Sequence, residues 1–290
     1  MKGLLEILRR VDEAVFPPSL YCICCGAMID NSRSYSLCDD CIRRIHWNTG
    51  VTCALCGKAL PERLETGQGA GSRLCYNCMV DRPLYERGFS CVTYGLHERE
   101  IMMDLKYAGK GYLARICGDM MFDLIEGEIS EGQFSSSGSR IDYIVPVPAD
   151  GDRVRERGYN QSALMADQLA KRWRRSVRQD REHRDKKSPA GMLPPVFQAD
   201  MLYRTRKTRK LRSLTPAERA MELEGTFDVR DRYREKLNGS NVLLIDDIYT
   251  TGATANACTR VLLDAGASKV FFLSWASGGN RRPSESEPIT

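Results

Sequence analysis

The sequence has no long run of apolar residues. No stretch reaches the roughly 18 consecutive apolar residues of a spanning helix, so we expect no membrane span. The N-terminal segment, MKGLLEILRRVDEAVFPP, also lacks the uninterrupted apolar core that a signal peptide needs. Both absences favour a cytoplasmic protein.

Histidine and excess charge are also scarce. His97 and His183 have neither a recognisable nucleophile partner nor metal-ligand spacing, and His46 is at most a substitute metal ligand. The net charge of +5 permits polyanionic ligands without demanding nucleic acid. A content of 42% hydrophobic and 28% charged residues is typical of a folded globular protein.

Cysteine, by contrast, is abundant. In a reducing compartment thiols more often bind metal than form disulfides. Four C-x2-C pairs account for eight of the twelve cysteines: Cys22/Cys25, Cys38/Cys41, Cys53/Cys56 and Cys75/Cys78. Their spacing predicts closed four-thiolate shells of structural Zn²⁺. We prefer two consecutive four-cysteine ribbons with one zinc ion each, although an interleaved pairing would use the same residues.

Other uses of the cysteines are open or disfavoured. Iron in the same thiolate shells is not excluded by the sequence. A filled shell has no open coordination position, so the module is expected to be structural or partner-binding. A redox function is disfavoured because eight clustered thiols are typical of metal ligands. Cys24 is surplus, and Cys91, Cys117 and Cys258 are expected to be small buried hydrophobes.

The order of predicted elements indicates an α/β protein with an appended module. We expect an amphipathic helix in residues 1–20, zinc ribbons in 21–82, an α/β domain in 83–279 and a disordered tail in 280–290. Strands are predicted around GFSCVTYG, IDYIVPVP, NVLLID and KVFFLSW. Helices are predicted from Leu113, after an Asn160 cap and from Ala253, and the charged segment 178–191 is predicted to be a loop. This alternation is typical of a parallel sheet flanked by helices.

The segment VLLIDDIYTTGAT is the most informative for function. Asp246 and Asp247 follow a buried strand, at the edge where α/β sheets bind ligands. Paired carboxylates can accept hydrogen bonds from a vicinal diol or help to hold Mg²⁺. The next residues offer hydroxyls and backbone amides for a phosphate at a helix N-terminus. They are Thr250, Thr251, Gly252, Ala253 and Thr254. An ordinary turn with a surface acidic pair is the alternative.

This segment resembles the type I phosphoribosyltransferase signature. The resemblance implies that Asp246 and Asp247 bind the ribose hydroxyls of 5-phosphoribosyl diphosphate, with Mg²⁺, and that the loop holds the 5-phosphate. Upstream, IVPVPADGDRVRERGYNQS resembles the VPVP...R...RGFNQ segment of the ComF family. These bacterial phosphoribosyltransferase-like proteins carry an N-terminal zinc finger, which LCDDC and the CxxCG knuckles match. The chain is therefore expected to have a type I phosphoribosyltransferase fold and a link to DNA uptake in competence.

Basic residues complete the predicted site. Arg153, Arg155 and Arg157 follow a strand end and could neutralise a pyrophosphate leaving group, unless they form only a solvated basic turn. Lys106, in DLKYAGK, matches a lysine of the family and could reach a phosphate. With the acidic pair, Arg157 and Lys106 are the candidate catalytic residues of a phosphoribosyl transfer whose acceptor the sequence does not name.

One departure from the family pattern favours an alternative function. In RTRKTRKLRSLTPAERAMELEGTF, Leu211 replaces the family's glutamine and Glu222 its asparagine, in a segment that resembles a flexible hood over the site. The departure implies altered substrate choice or lost activity. The alternative is a non-catalytic protein that senses phosphoribosyl groups or contacts single-stranded DNA and the uptake machinery. KRWRR and RTRKTRKLR would follow the phosphates and Trp173 or Tyr203 would stack bases, although such stretches are often solvated faces.

Overall fold

The computed structural model describes residues 20–30, 32–61, 73–131, 140–183, 193–209 and 214–279. The predicted first helix, apart from residue 20, and the predicted tail lie outside the described residues, as does Leu211. Within the described residues, no helix is long and apolar enough to cross a membrane.

A five-stranded sheet carries the fold. Its strands are β1 Arg87–Thr93, β2 Tyr143–Pro146, β3 Val196–Phe197, β6 Asn241–Tyr249 and β7 Lys269–Ser277. Their order across the sheet is β1-β7-β6-β2-β3, and all the pairings are parallel. A separate antiparallel pair consists of β4 Leu202–Arg204 and β5 Phe227–Val229. The helices are α1 Asp39–Arg44, α2 Tyr76–Val80, α3 Leu96–Tyr107, α4 Leu113–Ser130, α5 Gly151–Arg157, α6 Gln161–His183, α7 Pro216–Leu223, α8 Asp231–Leu237 and α9 Ala253–Asp264.

The predicted alternation of strands and helices is confirmed, with two differences in length. β6 continues to Tyr249, because β7 pairs with it up to that residue. α6 runs to His183, so the expected loop over 178–191 is wrong for its first part. Val177 is buried, which shows that this helix still packs on the core there. The predicted Asn160 cap is confirmed, since its Oδ1 accepts from the Ser162 N–H at 3.1 Å.

The two faces of the sheet carry separate cores, and the cysteine-rich segment contributes to both. Leu243 and Ile245 pack with α3, α4 and α6, together with residues of the first ribbon, which holds the pairs Cys22/Cys25 and Cys38/Cys41. Val242 and Leu244 pack with α9 and the antiparallel pair, together with residues of the second ribbon, which holds the pairs Cys53/Cys56 and Cys75/Cys78. Between the ribbons, the N–H of Asn48 donates to the Cys91 carbonyl at 3.0 Å, which covers the open edge of β1. The division into 21–82 and 83–279 stays a prediction, because the two segments share both cores.

The strand order places a crevice between β2 and β6. From β2 the chain crosses to β3 on one side, whereas from β6 it crosses to β7 on the other. Parallel sheets bind ligands at such a switch point, outside the carboxyl ends of the strands. β2 ends at Pro146, opposite Ile245, so the next two residues of β6 have no strand neighbour on that side. Those residues are Asp246 and Asp247.

Candidate phosphoribosyl site and metal centres

The acidic pair lies in a network of polar side chains at the switch point. Asp247 is only 7% exposed, and its Oδ2 lies 2.5 Å from the Lys106 ammonium. The same oxygen accepts a hydrogen bond from the Gln161 amide at 2.9 Å. Asp246 accepts from the Ser162 hydroxyl at 3.1 Å. Asp247 therefore has a cationic partner, whereas the hydrogen bonds to Asp246 come from neutral groups.

The two carboxyl groups have pKa shifts of opposite sign. Burial, and then the charge of Asp247, raise the pKa of Asp246 to about 7. Burial also acts to raise the pKa of Asp247, but the Lys106 ammonium outweighs it and lowers that pKa. At neutral pH Asp247 is therefore ionised and paired with Lys106, whereas Asp246 is present in both its protonated and its ionised form. Opposite shifts in neighbouring acids are typical of functional sites.

The predicted phosphate loop lies beside the acidic pair. Gly252 has a φ of +87°, and a Cβ there would lie 2.6 Å from the Tyr249 hydroxyl, so the turn requires glycine. α9 begins at the next residue, and its first amides have no partner within the helix. One cavity, with an empty volume of about 360 Å³, is lined by Asp246 and all five predicted loop residues, Thr250, Thr251, Gly252, Ala253 and Thr254.

The structure adds Arg219 to this cavity. This residue belongs to α7, in the segment that resembles the hood, and it lines the same cavity as the loop residues. Its Nε donates to the Leu214 carbonyl at 2.9 Å, which fixes the start of the guanidinium group. The segment RTRKTRKLRSLTPAERAMELEGTF contains this arginine, but sequence reasoning gave it no role.

The three predicted pyrophosphate ligands lie on α5, and they differ in position. Arg157 donates to Gln161 at 3.1 Å, which joins it to the acidic pair. Its guanidinium lies 4.9 Å over the Tyr107 ring, and its buried Nε has no hydrogen-bond partner among the described residues. Arg155 instead pairs with Asp152 at 2.9 Å on the surface, and Arg153 is exposed. The structure thus brings Arg157, but not Arg155, into the network.

The second zinc ribbon contacts the predicted phosphate loop directly. The Lys58 ammonium, on a residue that is 5% exposed, donates to the Thr250 carbonyl at 2.6 Å. The same nitrogen lies 5.3 Å from the centroid of the Tyr249 ring. Just after the ribbon, the Tyr85 hydroxyl donates to that of Tyr249 at 2.9 Å. Sequence reasoning missed Lys58, because a lysine in a knuckle has no signal of its own.

The eight predicted metal ligands converge in two groups, which supports the consecutive pairing. The first ribbon is Cys22, Cys25, Cys38 and Cys41, and the second ribbon is Cys53, Cys56, Cys75 and Cys78. The Sγ atoms of Cys25 and Cys38 lie 3.7 Å apart, and those of Cys56 and Cys75 3.6 Å apart. A tetrahedral shell with Zn–S bonds of about 2.3 Å has edges of about 3.8 Å, so both groups fit Zn²⁺.

The surplus cysteines have two different environments. Cys91, Cys117 and Cys258 are buried, as predicted. Cys24 instead lies on the partly exposed side of its knuckle, with its Sγ 3.8 Å from Nδ1 of His97. Sequence reasoning paired neither residue with a partner, because 73 positions separate them.

Several described residues of the two basic stretches form ion pairs with acidic residues of the same chain. Glu222, the departure from the family pattern, accepts from the backbone N–H and the Nε of Arg209, each at 2.9 Å. Arg206 lies 3.5 Å from the same carboxylate, so Glu222 fastens this segment to α7. The expectation that Trp173 stacks bases is wrong, because it is 4% exposed and packs against Phe122 in the core.

Comparisons with known proteins agree with this architecture. The family model of the double zinc ribbon domain matches residues 11–79. Competence protein ComFC of Bacillus subtilis (strain 168) is 27% identical over 242 residues, which covers 79% of each chain. DNA utilization protein YhgH of Salmonella typhi is 25% identical over 231 residues, covering 78% of this chain and 88% of the relative. The chain is thus similar to competence and DNA utilization proteins over about four fifths of its length. A further ComF relative, competence protein F of Haemophilus influenzae, is 22% identical over 86% of this chain and 93% of its own.

Two solved structures align with part of the chain. Glutamine phosphoribosylpyrophosphate amidotransferase from B. subtilis aligns with a TM-score of 0.32 and 15% identity, over 59% of this chain and 30% of that enzyme. A hypoxanthine phosphoribosyltransferase from Staphylococcus aureus also has a TM-score of 0.32, at 13% identity, over 60% and 70%. At this TM-score neither likeness bears on function. The predicted fold class is confirmed by the parallel sheet with its flanking helices and by the N-terminal double zinc ribbon.

Proposed function

We propose that the chain binds 5-phosphoribosyl diphosphate with Mg²⁺ in the crevice between β2 and β6 and transfers its phosphoribosyl group to an acceptor. The observation that carries the proposal is the shared cavity of Asp246 and the loop 250–254. The Asp246 carboxylate can accept hydrogen bonds from a diol, and the adjacent loop offers amides and hydroxyls to a phosphate. These two partners lie side by side, as the hydroxyls and the phosphate of a ribose 5-phosphate require.

Each part of the ligand has a partner of suitable chemistry. The ribose hydroxyls donate to Asp246 and Asp247, and the 5-phosphate accepts from the amides and hydroxyls of the loop. Among the described residues no cation pairs with Asp246, so its charge is the one available to the diol or to Mg²⁺. Oxygen ligands of this kind suit Mg²⁺. When bound, Mg²⁺ would neutralise charge on the diphosphate.

The basic side chains would stabilise the departing group. The bond between the anomeric carbon and the diphosphate oxygen breaks, and pyrophosphate leaves with the electron pair. A lone pair of the acceptor forms the new bond, and the acceptor loses a proton. Arg157 is joined to the acidic pair by its hydrogen bond to Gln161, and Lys106 by its ion pair with Asp247. Arg219 lines the same cavity as the predicted phosphate loop. The exposed Arg153 and Arg155 would reach only a diphosphate that extends to the rim of α5.

Calorimetric titration with 5-phosphoribosyl diphosphate and Mg²⁺ tests this proposal. We expect the double variant Asp246→Asn, Asp247→Asn to bind at least about tenfold more weakly, because charge-assisted hydrogen bonds are lost. Asp264→Asn, an exposed change at the far end of α9, is the control and should leave affinity unchanged. Equal affinity of the double variant and the native chain would remove the site assignment. Release of pyrophosphate with a nucleophilic acceptor would separate transfer from simple binding.

The pH dependence of binding sharpens the test. The pKa of Asp246 is raised from 3.8 to about 7, so its ionised fraction increases as pH rises from 6 to 8. Binding that uses this carboxylate should strengthen by up to about tenfold per pH unit below that pKa. The raised pKa has the opposite effect on stability: the free protein loses stability as pH rises from about 4 to 7, because the unfolded chain releases this proton first. Asp246→Asn should flatten both profiles.

A second candidate function is binding of single-stranded DNA without phosphoribosyl transfer. Relatives named for competence and for DNA utilization favour it, as do Arg174, Arg175 and Arg178, which are exposed on α6. Affinity for an oligonucleotide that falls steeply with salt, with no release of pyrophosphate, would support this function. Arg174→Glu with Arg175→Glu should then weaken DNA binding and leave the sugar phosphate site unchanged.

A further inference from the structure

A third group of metal-ligand side chains lies beside the first ribbon. The ligand atoms of Cys24, His97 and Glu100 all lie within 4.8 Å of one another. His97 and Glu100 are three residues apart on α3, so they lie on the same face of the helix. Cys24 reaches them from the knuckle between Cys22 and Cys25. One sulfur, one imidazole nitrogen and one carboxylate oxygen thus converge from two elements.

The positions of these ligands are fixed by buried contacts. Glu98, which has no exposed surface, accepts from the backbone N–H of Gly95 at 2.9 Å and from that of His46 at 2.7 Å. These bonds hold the first turn of α3 against the segment that follows the first ribbon. The backbone N–H of Ile23 donates to the Ser36 carbonyl at 3.0 Å, which fixes the knuckle that carries Cys24. The site is therefore largely preformed.

The geometry and charge suit a divalent transition ion. Zn²⁺ with a sulfur ligand at about 2.3 Å and a nitrogen ligand at about 2.1 Å has a ligand–ligand distance of about 3.6 Å. The distance of 3.8 Å between the Cys24 sulfur and Nδ1 of His97 matches this edge. Glu100 is exposed, so its side chain can adjust to complete the third bond. A cation here would also offset the net negative charge of the adjacent four-thiolate zinc shell.

We propose that Cys24, His97 and Glu100 bind a third Zn²⁺ ion that joins the first ribbon to α3. Three protein ligands leave one coordination position for water, so this ion differs from the two closed structural shells. Its removal should not unfold either ribbon. The other end of α3 carries Lys106, which contacts Asp247, so the ion would fasten the helix that reaches the acidic pair. The metal site itself is independent of the proposed phosphoribosyl chemistry.

Titration with Co²⁺ tests this proposal, on a chain dialysed against a weak chelator until only its two tightly bound zinc ions remain. We expect the chain to hold two tightly bound zinc ions and to take up one further Co²⁺. The added ion should give a thiolate-to-cobalt absorption band that is weaker per ion than that of a four-thiolate shell. His97→Ala and Glu100→Gln should each weaken or abolish this third equivalent while leaving two zinc ions in place. Cys24→Ser should abolish the band.

The control is Glu131→Gln, an exposed glutamate at the end of α4, which should retain all three equivalents. Saturation at two ions in the native chain would overturn the proposal and leave Cys24 as an ordinary thiol beside the ribbon. A third equivalent that survives in His97→Ala and Cys24→Ser alike would overturn it too, because the ion would then lie elsewhere. The retained zinc content shows in each variant that the ribbons are folded.

Discussion

The two zinc ribbons share one motif but contact opposite faces of the sheet. In the first ribbon Cys25 is exposed, and the nearby Tyr35 hydroxyl donates to Asp123 of α4 at 2.7 Å. In the second ribbon all four cysteines are buried, and Lys58 holds the phosphate loop. The motif thus determines the metal shell, whereas the role of each ribbon depends on what packs against it. The second ribbon contacts the candidate site through the hydrogen bond from Lys58 to the Thr250 carbonyl.

Loss of one zinc ligand should give the largest difference between the ribbons. Cys75→Ser removes a ligand that is 1% exposed, so we expect loss of one zinc ion, several kcal/mol of stability and at least about tenfold in sugar phosphate affinity. Cys38→Ser in the first ribbon should also release one zinc ion but change affinity by less than about threefold. Metal analysis with calorimetry measures both. Equal losses of affinity would contradict a special role for the second ribbon.

The knuckle glycines give the next largest difference. Both adopt positive φ, so alanine at either position costs about 1–2 kcal/mol of backbone strain. A Cβ at Gly26 meets no atom of the described residues within 4 Å, whereas at Gly57 it lies 2.5 Å from the Gly88 carbonyl oxygen. Gly57→Ala should therefore destabilise the protein by about 2 kcal/mol more than Gly26→Ala in urea unfolding. Variants of equal stability would show that the second ribbon does not pack closely on β1.

A change at Lys58 separates the contact to the loop from the metal shell. Lys58→Met removes the donor to the Thr250 carbonyl, and we expect about tenfold weaker binding of phosphoribosyl diphosphate with both zinc ions retained. The matched control is Arg43→Met in the first ribbon, where the arginine pairs with Asp40 on the surface. It should bind the ligand as the native chain does. Native affinity in Lys58→Met would mean that the loop needs no support from the ribbon.

The smallest expected effects come from the two tyrosine hydroxyls. Tyr35→Phe and Tyr85→Phe should each cost about 1 kcal/mol of stability, since each removes one hydrogen bond. Only Tyr85→Phe should alter ligand affinity, by about twofold, because its partner Tyr249 packs under the loop at Gly252. Thermal unfolding and calorimetry on the same samples check both parts. A larger affinity change in Tyr35→Phe would reverse the comparison.

Features encoded within short segments were predictable from the sequence. The cysteine quartets are such features, because two closely spaced thiols already restrict the geometry of a metal shell. The acidic pair and the loop beside it are encoded within one strand-turn-helix. Lys106 was identified by resemblance alone, and the structure places it 2.5 Å from Asp247.

The remaining contacts were not predictable, because they join distant segments through residues of ordinary type. Gln161 contacts Asp247 across 86 positions, and Lys58 contacts Thr250 across 192. Neither residue type indicates a site without knowledge of which strands are neighbours. The extra length of β6 likewise depends on β7, whose pairing continues to Ser277. Such features follow from the sheet order, which local patterns do not determine.

Amide hydrogen exchange with and without phosphoribosyl diphosphate and Mg²⁺ tests the central claim most directly. Bound ligand should slow exchange at residues 250–256, where the amides of the loop and the first turn of α9 meet the 5-phosphate. Residues 22–41 of the first ribbon, on the other face of the sheet, should exchange at the same rate as in the free protein. Protection that appears in the first ribbon and not in the loop, at saturating ligand, would contradict the account.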